Sequence, residues 1–256
     1  MSVNEKPQPP ALMATGLGFH VGGVHILSDV DLTVSTGSFL GIIGPNGAGK
    51  TTLLNLLSGL LRVSAGSIYL EGRDVTGVTS AGRTRLGVGR TFQTSSLFNS
   101  LSVFENARLS AQARLGGNAR FWRRPRAADA ASVAARDALE RVGLEEMAAH
   151  VTGSLSHGDK RKLELAILLA GEARVLLLDE PMAGVHSEDV PLLTTLIGAL
   201  HAEGRTVLMV EHHMSVVVGL ADTIAVLDSG RLLACGPPDA VIANEDVQSA
   251  YLGQPL

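Results

Sequence analysis

Apolar and polar residues alternate along the first part of the chain. This alternation runs from residue 12 to residue 34, with Gly22 and Gly23 as a turn in the middle. Such a pattern around a glycine turn is typical of two antiparallel strands. We therefore predict a hairpin here, followed by a turn at Gly37 and Ser38 into a third strand, Phe39–Ile43.

Continuous apolar runs are typical of strands that are covered on both faces of a sheet. Val175–Asp179 and Thr206–Val210 are such runs, and they predict two buried parallel strands with a helix, Val190–Ala202, between them. Further strands are predicted at residues 67–72, 86–93, 223–227 and 231–235, the last two joined by a hairpin turn at Ser229 and Gly230, and one last helix is predicted from Pro237.

The chain changes character between about residues 102 and 151. This stretch lacks strand-like runs and is rich in Ala, Arg, Leu and Glu, with helical periodicity at residues 127–141. We predict a helical subdomain inserted at about residues 100–160 of one domain that spans residues 11–256. Residues 1–10, rich in proline, are expected to form a flexible tail.

A glycine-rich loop follows the strand Phe39–Ile43 and matches the pattern G-x-x-x-x-G-K-[ST]. Glycine lets backbone N–H groups approach a phosphate closely. Lys50 adds a charge for the β- and γ-phosphates, and the Thr51 hydroxyl can bind Mg²⁺. The loop therefore predicts binding of a nucleoside triphosphate with Mg²⁺. The residues predicted to bind it are Gly44, Pro45, Asn46, Gly47, Ala48, Gly49, Lys50, Thr51 and Thr52.

The helix predicted after this loop carries too many leucines for one narrow apolar stripe, so we expect it to lie in the core. The leucines expected to be buried are Leu53, Leu54, Leu56, Leu57, Leu60 and Leu61.

Two acids end the buried strand Val175–Asp179. Beside a phosphate-binding loop, a carboxylate such as Asp179 can hold Mg²⁺, usually through water. Glu180 is placed to polarise a water for in-line attack on the γ-phosphate. Acids can also simply solvate a strand end, but the neighbouring glycine loop favours the catalytic interpretation.

Composition narrows the class of protein. The 256 residues, 45% of them hydrophobic, suffice for one large α/β domain with an insert. With a net charge of −4, the chain as a whole has no positive electrostatic potential that would attract nucleic acid or an anionic membrane. The single cysteine, Cys235, excludes an internal disulfide framework, and the start of the chain lacks the apolar region of a signal peptide. With no apolar run of membrane-spanning length, we expect a soluble cytoplasmic protein.

A second loop, residues 154–158, opens a helix between the insert and the acidic strand. Its amino-acid sequence resembles Leu-Ser-Gly-Gly-Gln, the signature motif of ATP-binding-cassette (ABC) ATPases. A serine hydroxyl and a glycine N–H at a helix N-terminus form an anion site, although an isolated serine here is more often an ordinary helix cap. The resemblance implies that this motif acts on the ATP of a partner subunit, through Leu155, Ser156, His157, Gly158 and Asp159.

Other motifs of the ABC family occur in the expected order. Gln93 resembles the Q-loop, which in the family senses Mg²⁺ and the attacking water and faces the transmembrane partner. Residues 182–186 stand where the D-loop is expected, and His212 resembles the switch histidine that contacts the γ-phosphate. The resemblance therefore implies a Mg²⁺-dependent ATPase whose catalytic residues are Glu180, His212 and Gln93 and whose metal-binding residues are Thr51, Gln93 and Asp179.

The resemblance covers nearly all of residues 12–254 and implies the fold and partners of the family. The fold is a P-loop NTPase cassette of the α/β class, with a RecA-like mixed-sheet core, an antiparallel β subdomain and an inserted α-helical subdomain. Two such domains stack head to tail, so that the phosphate loop of one and the signature helix of the other close on one ATP. The implied partners are a second ATPase subunit, transmembrane permease subunits and a solute-binding protein, with the chain on the inner face of the membrane.

Several stretches resemble the longer ATPase of branched-chain amino acid, amide and urea importers. Leu-Ser-His-Gly resembles the urea and amide members in particular. Three alternatives to the ATPase of a solute importer remain. They are the ATPase of a lipid or lipopolysaccharide exporter, a soluble ABC ATPase that acts in DNA repair or on the ribosome, and a nucleotide-binding regulatory subunit with little turnover. The stretches are residues 44–52, 90–93, 97–98, 101–106, 183–184, 211–212 and 250–253.

An arginine-rich stretch lies at residues 114–126. The longer ATPase of such importers also carries an extended arginine-rich segment there. The stretch suits contact with a permease or with lipid headgroups, and it is equally compatible with a solvated surface. No nucleic-acid-binding motif accompanies it, so nucleic acid is not an expected partner.

Three positions depart from the family pattern. The aromatic residue that stacks on adenine is replaced by Val21, and Phe19, two residues earlier, is a candidate substitute because alternate strand residues share a face. Asp159 replaces the signature glutamine. His213 replaces a frequent aspartate after the switch histidine.

Overall fold

Two β-sheets and nine α-helices form the part of the chain that the computed structural model describes, residues 9–91, 97–115 and 129–251. The strands are β1 Leu12–Val21, β2 Val24–Val34, β3 Phe39–Ile43, β4 Ala65–Leu70, β5 Arg73–Asp74, β6 Val88–Arg90, β7 Val175–Asp179, β8 Thr206–Val210, β9 Thr223–Asp228 and β10 Arg231–Gly236. The helices are α1 Lys50–Leu57, α2 Ser80–Arg85, α3 Val103–Arg114, α4 Ala130–Arg141, α5 His157–Ala170, α6 Val190–Ala202, α7 Met214–Leu220, α8 Pro238–Ile242 and α9 Glu245–Tyr251, with short 3₁₀ turns at Glu145–Met147 and Thr152–Ser154.

The larger sheet has six strands in the order β10-β9-β3-β8-β7-β6. Strands β6, β7, β8, β3 and β9 run parallel, and β10 pairs antiparallel with β9. Every residue of β3, β7 and β8 is buried, which confirms the two predicted parallel strands. Because parallel strands end at the same edge of a sheet, the segments that follow β3, β7 and β8 come together there.

The smaller sheet is antiparallel, in the order β2-β1-β4-β5. The predicted hairpin is confirmed, and its turn residues Gly22 and Gly23 have φ of 56° and 84°, which favours glycine. The C-terminal hairpin of β9 and β10 is also confirmed. The two sheets meet where the Ser28 N–H donates to the Gly230 carbonyl at 2.9 Å.

Helix α1 is buried, but it is shorter than the sequence suggests. Leu53, Leu54, Leu56 and Leu57 are buried as predicted. The prediction for Leu60 is wrong, since this residue is 45% exposed, and Leu61 is only partly buried. The reason is Gly59, whose φ of 75° ends the helix and turns the chain away from the core.

A buried arginine caps the end of α1. Arg83, on α2, is 1% exposed, and its guanidinium donates to the carbonyl oxygens of Leu56 and Leu57 at 2.7 and 2.8 Å. It also donates to the carbonyls of Val75 and Thr76 at 2.8 and 3.2 Å. Because the last carbonyls of a helix lack partners within it and carry partial negative charge, the cation fixes the position of α1.

Helices α3, α4 and α5 pack together around a core of alanine and leucine side chains that includes Ala107, Ala135 and Leu139. The helix predicted over residues 127–141 begins at Ala130, and residues 127 and 128 lie outside the described part. Asn106, near the start of α3, links this helix to the 3₁₀ turn that precedes α5, since its amide donates to the Thr152 hydroxyl at 3.0 Å.

The helix predicted from Pro237 is confirmed as α8, Pro238–Ile242, but it is not the last one, since α9 follows it. The Asn244 side chain accepts the N–H groups of Asp246 and Val247, at 2.9 and 3.1 Å, and so starts a new helix. None of the helices within the described ranges combines the length and apolar character that crossing a membrane requires.

Candidate functional site

The glycine loop lies between β3 and α1 at the carboxyl edge of the larger sheet. Gly44 and Gly49 have φ of 152° and 101°. A Cβ on Gly44 would lie 2.1 Å from the Leu227 carbonyl oxygen, and one on Gly49 would lie 2.6 Å from a Leu27 methyl group. Only glycine fits at these two positions, so the loop conformation is encoded by its sequence.

Lys50 lies inside this loop and is 6% exposed. Its ammonium donates to the carbonyl oxygens of Gly44 and Pro45, at 2.7 and 2.9 Å. Burial lowers the pKa of Lys50, while the Glu180 and Asp179 carboxylates act to raise it. The loop therefore wraps around a positive charge that faces two acids.

A cavity of about 360 Å³ opens over the loop. Glu180 reaches it from the end of β7. Ile26 reaches it from β2, where it is the extra residue between the pairs Phe19–Leu27 and His20–His25. Sequence alternation does not predict Ile26, because an irregularity in strand pairing re-aims the side chain. The lining residues are Ile26, Asn46, Gly47, Ala48, Gly49, Lys50, Thr51, Thr52 and Glu180.

Asp179 is buried beside the loop, with 1% of its side chain exposed. The Thr51 hydroxyl lies 3.5 Å from one of its carboxylate oxygens, and the Arg90 guanidinium lies 2.9 Å from the other. Burial raises the pKa of Asp179, and Arg90 opposes that effect. Two oxygen atoms therefore meet here, a hydroxyl and a carboxylate, at the position predicted for Mg²⁺.

Arg90 was not among the predicted site residues. It ends the edge strand β6, and its guanidinium also donates to the Ser58 hydroxyl at 2.9 Å. No local sequence signal marks this role, because its partner Asp179 lies 89 residues further along the chain. Arg90 holds the Asp179 carboxylate toward Thr51.

Glu180 and His212 meet at the mouth of the site. The His212 Nε2 lies 2.9 Å from a Glu180 carboxylate oxygen, and the two side chains are 45% and 17% exposed. Glu180 has a φ of 47°, a conformation that costs a non-glycine residue about 1–3 kcal/mol and that is concentrated at functional sites. The structure therefore brings together two predicted catalytic residues.

The predicted signature residues lie at the start of α5. Ser156 caps this helix: its hydroxyl accepts the Asp159 N–H at 3.1 Å and donates to the Asp159 carboxylate at 2.7 Å. Lys162 pairs with the same carboxylate at 3.1 Å. Gly158 packs against α6, since a Cβ on it would lie 2.8 Å from an Asp189 oxygen. None of residues 155–159 lines the cavity described above.

The two residues predicted at the adenine end differ in environment. Val21 is 57% exposed at the tip of the hairpin, opposite Val24, which is 66% exposed. Phe19 is partly buried and packs against the hydrophobic core. Gln93 lies outside the described residues, as do residues 116–128 of the arginine-rich stretch and residues 252–256.

A double-mutant cycle tests whether Arg90 and Asp179 stabilise each other in the folded protein. Replacing Arg90 by Met leaves a buried carboxylate without its cation, and we expect a loss of about 3–5 kcal/mol in the free energy of unfolding. Adding Asp179→Asn should recover much of that loss, because no unpaired charge remains. Urea unfolding measures both, with Ser58→Ala as the control for the second arginine contact. Strictly additive losses would contradict this pairing.

Comparison with known proteins identifies the family. A family model described as "ABC transporter" matches residues 27–183, and one described as "Branched-chain amino acid ATP-binding cassette transporter" matches residues 231–255. The chain is 37% identical to the high-affinity branched-chain amino acid transport ATP-binding protein BraF of Pseudomonas aeruginosa, over 96% of this chain and 98% of that protein. It is 36% identical to the corresponding protein LivG of Escherichia coli K12, with the same coverage.

Solved structures agree with the sequence comparison. The fold is similar to a nucleotide-free ATP-binding cassette from an ABC transporter, with a TM-score of 0.84 and 28% identity over 96% of this chain and 100% of that one. It is equally similar to an ABC transporter cassette in its ADP conformation, with a TM-score of 0.84 and 28% identity over 96% and 99% of the two chains. The predicted cassette fold is confirmed, and the chain belongs to the family of ABC transporter ATP-binding subunits, which are ATPases.

Proposed function

We propose that this chain hydrolyses ATP at the cavity over its glycine loop to power import of branched-chain amino acids or related amides or urea. The observation that carries the ATPase part is the Glu180–His212 pair, which lies at the mouth of a loop wrapped around Lys50. The importer part is supported by the match at residues 231–255 and by the relatives' names.

The phosphates of ATP are proposed to bind residues 44–52. The backbone N–H groups at the start of α1 and the glycines of the loop suit an anion. The Lys50 ammonium, which the Gly44 and Pro45 carbonyls hold at 2.7 and 2.9 Å, exchanges these partners for β- and γ-phosphate oxygens. Phosphate contact thus draws on groups that the fold already positions.

Mg²⁺ fits the oxygen atoms beside the loop. This ion prefers hard oxygen ligands and commonly uses one or two carboxylates together with substrate phosphates. The Thr51 hydroxyl and the Asp179 carboxylate, 3.5 Å apart, match that donor set, with Gln93 proposed as a further ligand. The described residues contain no group of three or more His, Cys, Asp or Glu that could hold a metal without such phosphates. When bound, the ion neutralises charge on the phosphate oxygens.

Hydrolysis is proposed to depend on Glu180 as general base. Its carboxylate lines the cavity and takes a proton from the water that attacks the γ-phosphate. His212 holds that carboxylate by the 2.9 Å contact and, being 45% exposed, is accessible to the γ-phosphate as well. Gln93 is proposed to orient the same water.

The site is proposed to be completed by a second ATPase subunit. Leu155, Ser156, His157, Gly158 and Asp159 lie away from the chain's own cavity, and Ser156 and His157 are exposed at the N-terminus of a 14-residue helix. The same Ser156 caps that helix, so the cap and the signature interpretations are compatible. Asp159 brings negative charge toward the partner's nucleotide, which Lys162 offsets.

The further partners are proposed from the family. They are transmembrane permease subunits, which would hold the chain on the cytoplasmic face of the membrane, and a solute-binding protein outside it. Among the described residues, the arginine-rich stretch contributes one arginine, Arg114, which pairs with Glu172. Nucleic acid is not among the proposed partners.

Replacing Glu180 by Gln tests the proposed base. The change keeps the shape but removes the proton acceptor, so we expect turnover to fall by about 10²–10⁴-fold, with ATP still bound. Phosphate release and nucleotide titration measure the two quantities. Glu140→Gln, at an exposed position of α4, is the matched control. Equal rates for wild type and Glu180→Gln would contradict the role of Glu180.

An aromatic residue at position 21, where adenine is expected to bind, should increase the affinity for ATP. Exposed aliphatic residues at the hairpin tip offer no stacking face, so Val21→Phe should tighten ATP binding by about 1–3 kcal/mol. The dissociation constants of ATP for both proteins measure this. Val133→Phe, at a position of α4 that is 55% exposed, controls for added surface area. An unchanged or weaker affinity in Val21→Phe would refute the prediction.

The transport assignment is tested on the assembled complex. We expect an affinity-tagged chain, purified from membranes, to carry permease subunits and a solute-binding protein. Its ATPase rate should rise when that binding protein is loaded with leucine, isoleucine, valine, a short amide or urea. Recovery of lipid-extracting subunits instead would favour the exporter alternative and contradict import.

A further inference from the structure

Glu211 is a buried acid that the proposed mechanism does not use. It follows strand β8 directly, and 1% of its side chain is exposed. A carboxylate in such surroundings costs a large desolvation free energy unless donors surround it. Its partners therefore indicate why an acid stands at this position.

The partners of Glu211 belong to two separate segments. One carboxylate oxygen accepts the Met182 N–H at 2.8 Å. The other accepts the N–H groups of His212 and His213, at 2.9 and 3.3 Å, and lies 3.1 Å from the His213 ring nitrogen Nδ1. A single side chain thus joins the segment after β7 to the segment after β8.

These two segments carry the catalytic pair. Met182 lies in a turn that begins at Glu180, which the bond from the Ala183 N–H to the Glu180 carbonyl closes at 3.0 Å. His212 is the residue next to Glu211. The 2.9 Å contact between Glu180 and His212 therefore spans the same two segments that Glu211 holds together.

We propose that Glu211 is a positioning residue that sets the contact between Glu180 and His212 for ATP hydrolysis. The inference rests on the proposed function, since Glu180 and His212 have their roles only in that reaction. Glu211 touches neither nucleotide nor water in this proposal and acts through the two segments.

The chemistry of the position requires a carboxylate. Both oxygens of Glu211 face N–H donors, and an ionised carboxylate accepts at both. A glutamine of the same size places an NH₂ group against one set of donors, so it can hold only one of the two segments. Glu211→Gln therefore loosens the pair with little change in volume.

A purely stabilising role is the competing explanation, and a control acid away from the catalytic pair separates the two. Asp222 also accepts a backbone N–H, that of Phe39, at 2.8 Å. Phe39 begins β3, so Asp222 lies at the opposite edge of the same sheet from Glu180. Asp222→Asn should lower stability and leave the catalytic pair unchanged.

The experiment measures turnover in five proteins: wild type, Glu211→Gln, Glu180→Gln, the double variant and the control Asp222→Asn. We expect Glu211→Gln to lower kcat by about ten- to a hundredfold, as for a small misplacement of a catalytic group, while the nucleotide dissociation constant changes by less than about twofold. In the Glu180→Gln background, Glu211→Gln should cause no further fall in kcat. Asp222→Asn should retain the wild-type kcat.

A spectroscopic readout checks the same inference without turnover. In protein with ¹⁵N-labelled histidine, the ring resonances of His212, assigned with His212→Gln, report its contact with Glu180. They should shift in the same direction in Glu211→Gln and in Glu180→Gln and stay in place in Asp222→Asn. Should Glu211→Gln not fold, Glu211→Asp keeps the charge on a shorter side chain and should give a smaller fall in kcat and a smaller shift.

Four results would overturn the inference. A wild-type kcat in the Glu211 variant, or an equal further fall in the Glu180→Gln background, shows that Glu211 acts only on stability. Unshifted His212 resonances in that variant show the same. A wild-type kcat in Glu180→Gln instead overturns the proposed function and this inference with it, so the two failures are distinguishable.

Discussion

The Lys50 ammonium, bound by the carbonyl oxygens of Gly44 and Pro45, is the interaction on which the site depends. It fixes a loop whose glycines adopt conformations that other residues rarely accept. Helix α1 starts at this lysine, and Arg83 binds the carbonyls at its other end. The proposed phosphate-binding surface is thus anchored at both ends of one buried helix.

The carboxyl edge of the parallel sheet gathers charges that compensate one another locally. Arg90 faces Asp179, while backbone N–H groups surround Glu211. Lys50 lies near Asp179 and Glu180, which act on its pKa. Such an arrangement offsets part of the desolvation cost of placing charged groups in a largely buried region. It also leaves Glu180, paired with the exposed His212, as the acid that faces the cavity.

Much of this could be predicted from the sequence, because the signals are local. Continuous apolar runs located β7 and β8, and the glycine pattern located the loop with its lysine and threonine. The roles of Arg90 and Glu211 could not be predicted, because their partners are distant in sequence and meet only through the order of strands. Leu60 was placed wrongly since periodicity does not show where Gly59 ends a helix, and Ile26 was missed because an irregular strand pair turns it toward the cavity.

We expect affinity for nucleotide to reside at the phosphate end, around Lys50 and residues 44–52, while the aliphatic hairpin tip contributes little. Calorimetric titration of the purified chain with ATP, ADP and AMP in the presence of Mg²⁺ tests it most directly. The account predicts that ATP and ADP bind and that AMP, which lacks the β- and γ-phosphates, binds at least about a hundredfold more weakly. Comparable affinities for ATP and AMP would contradict it.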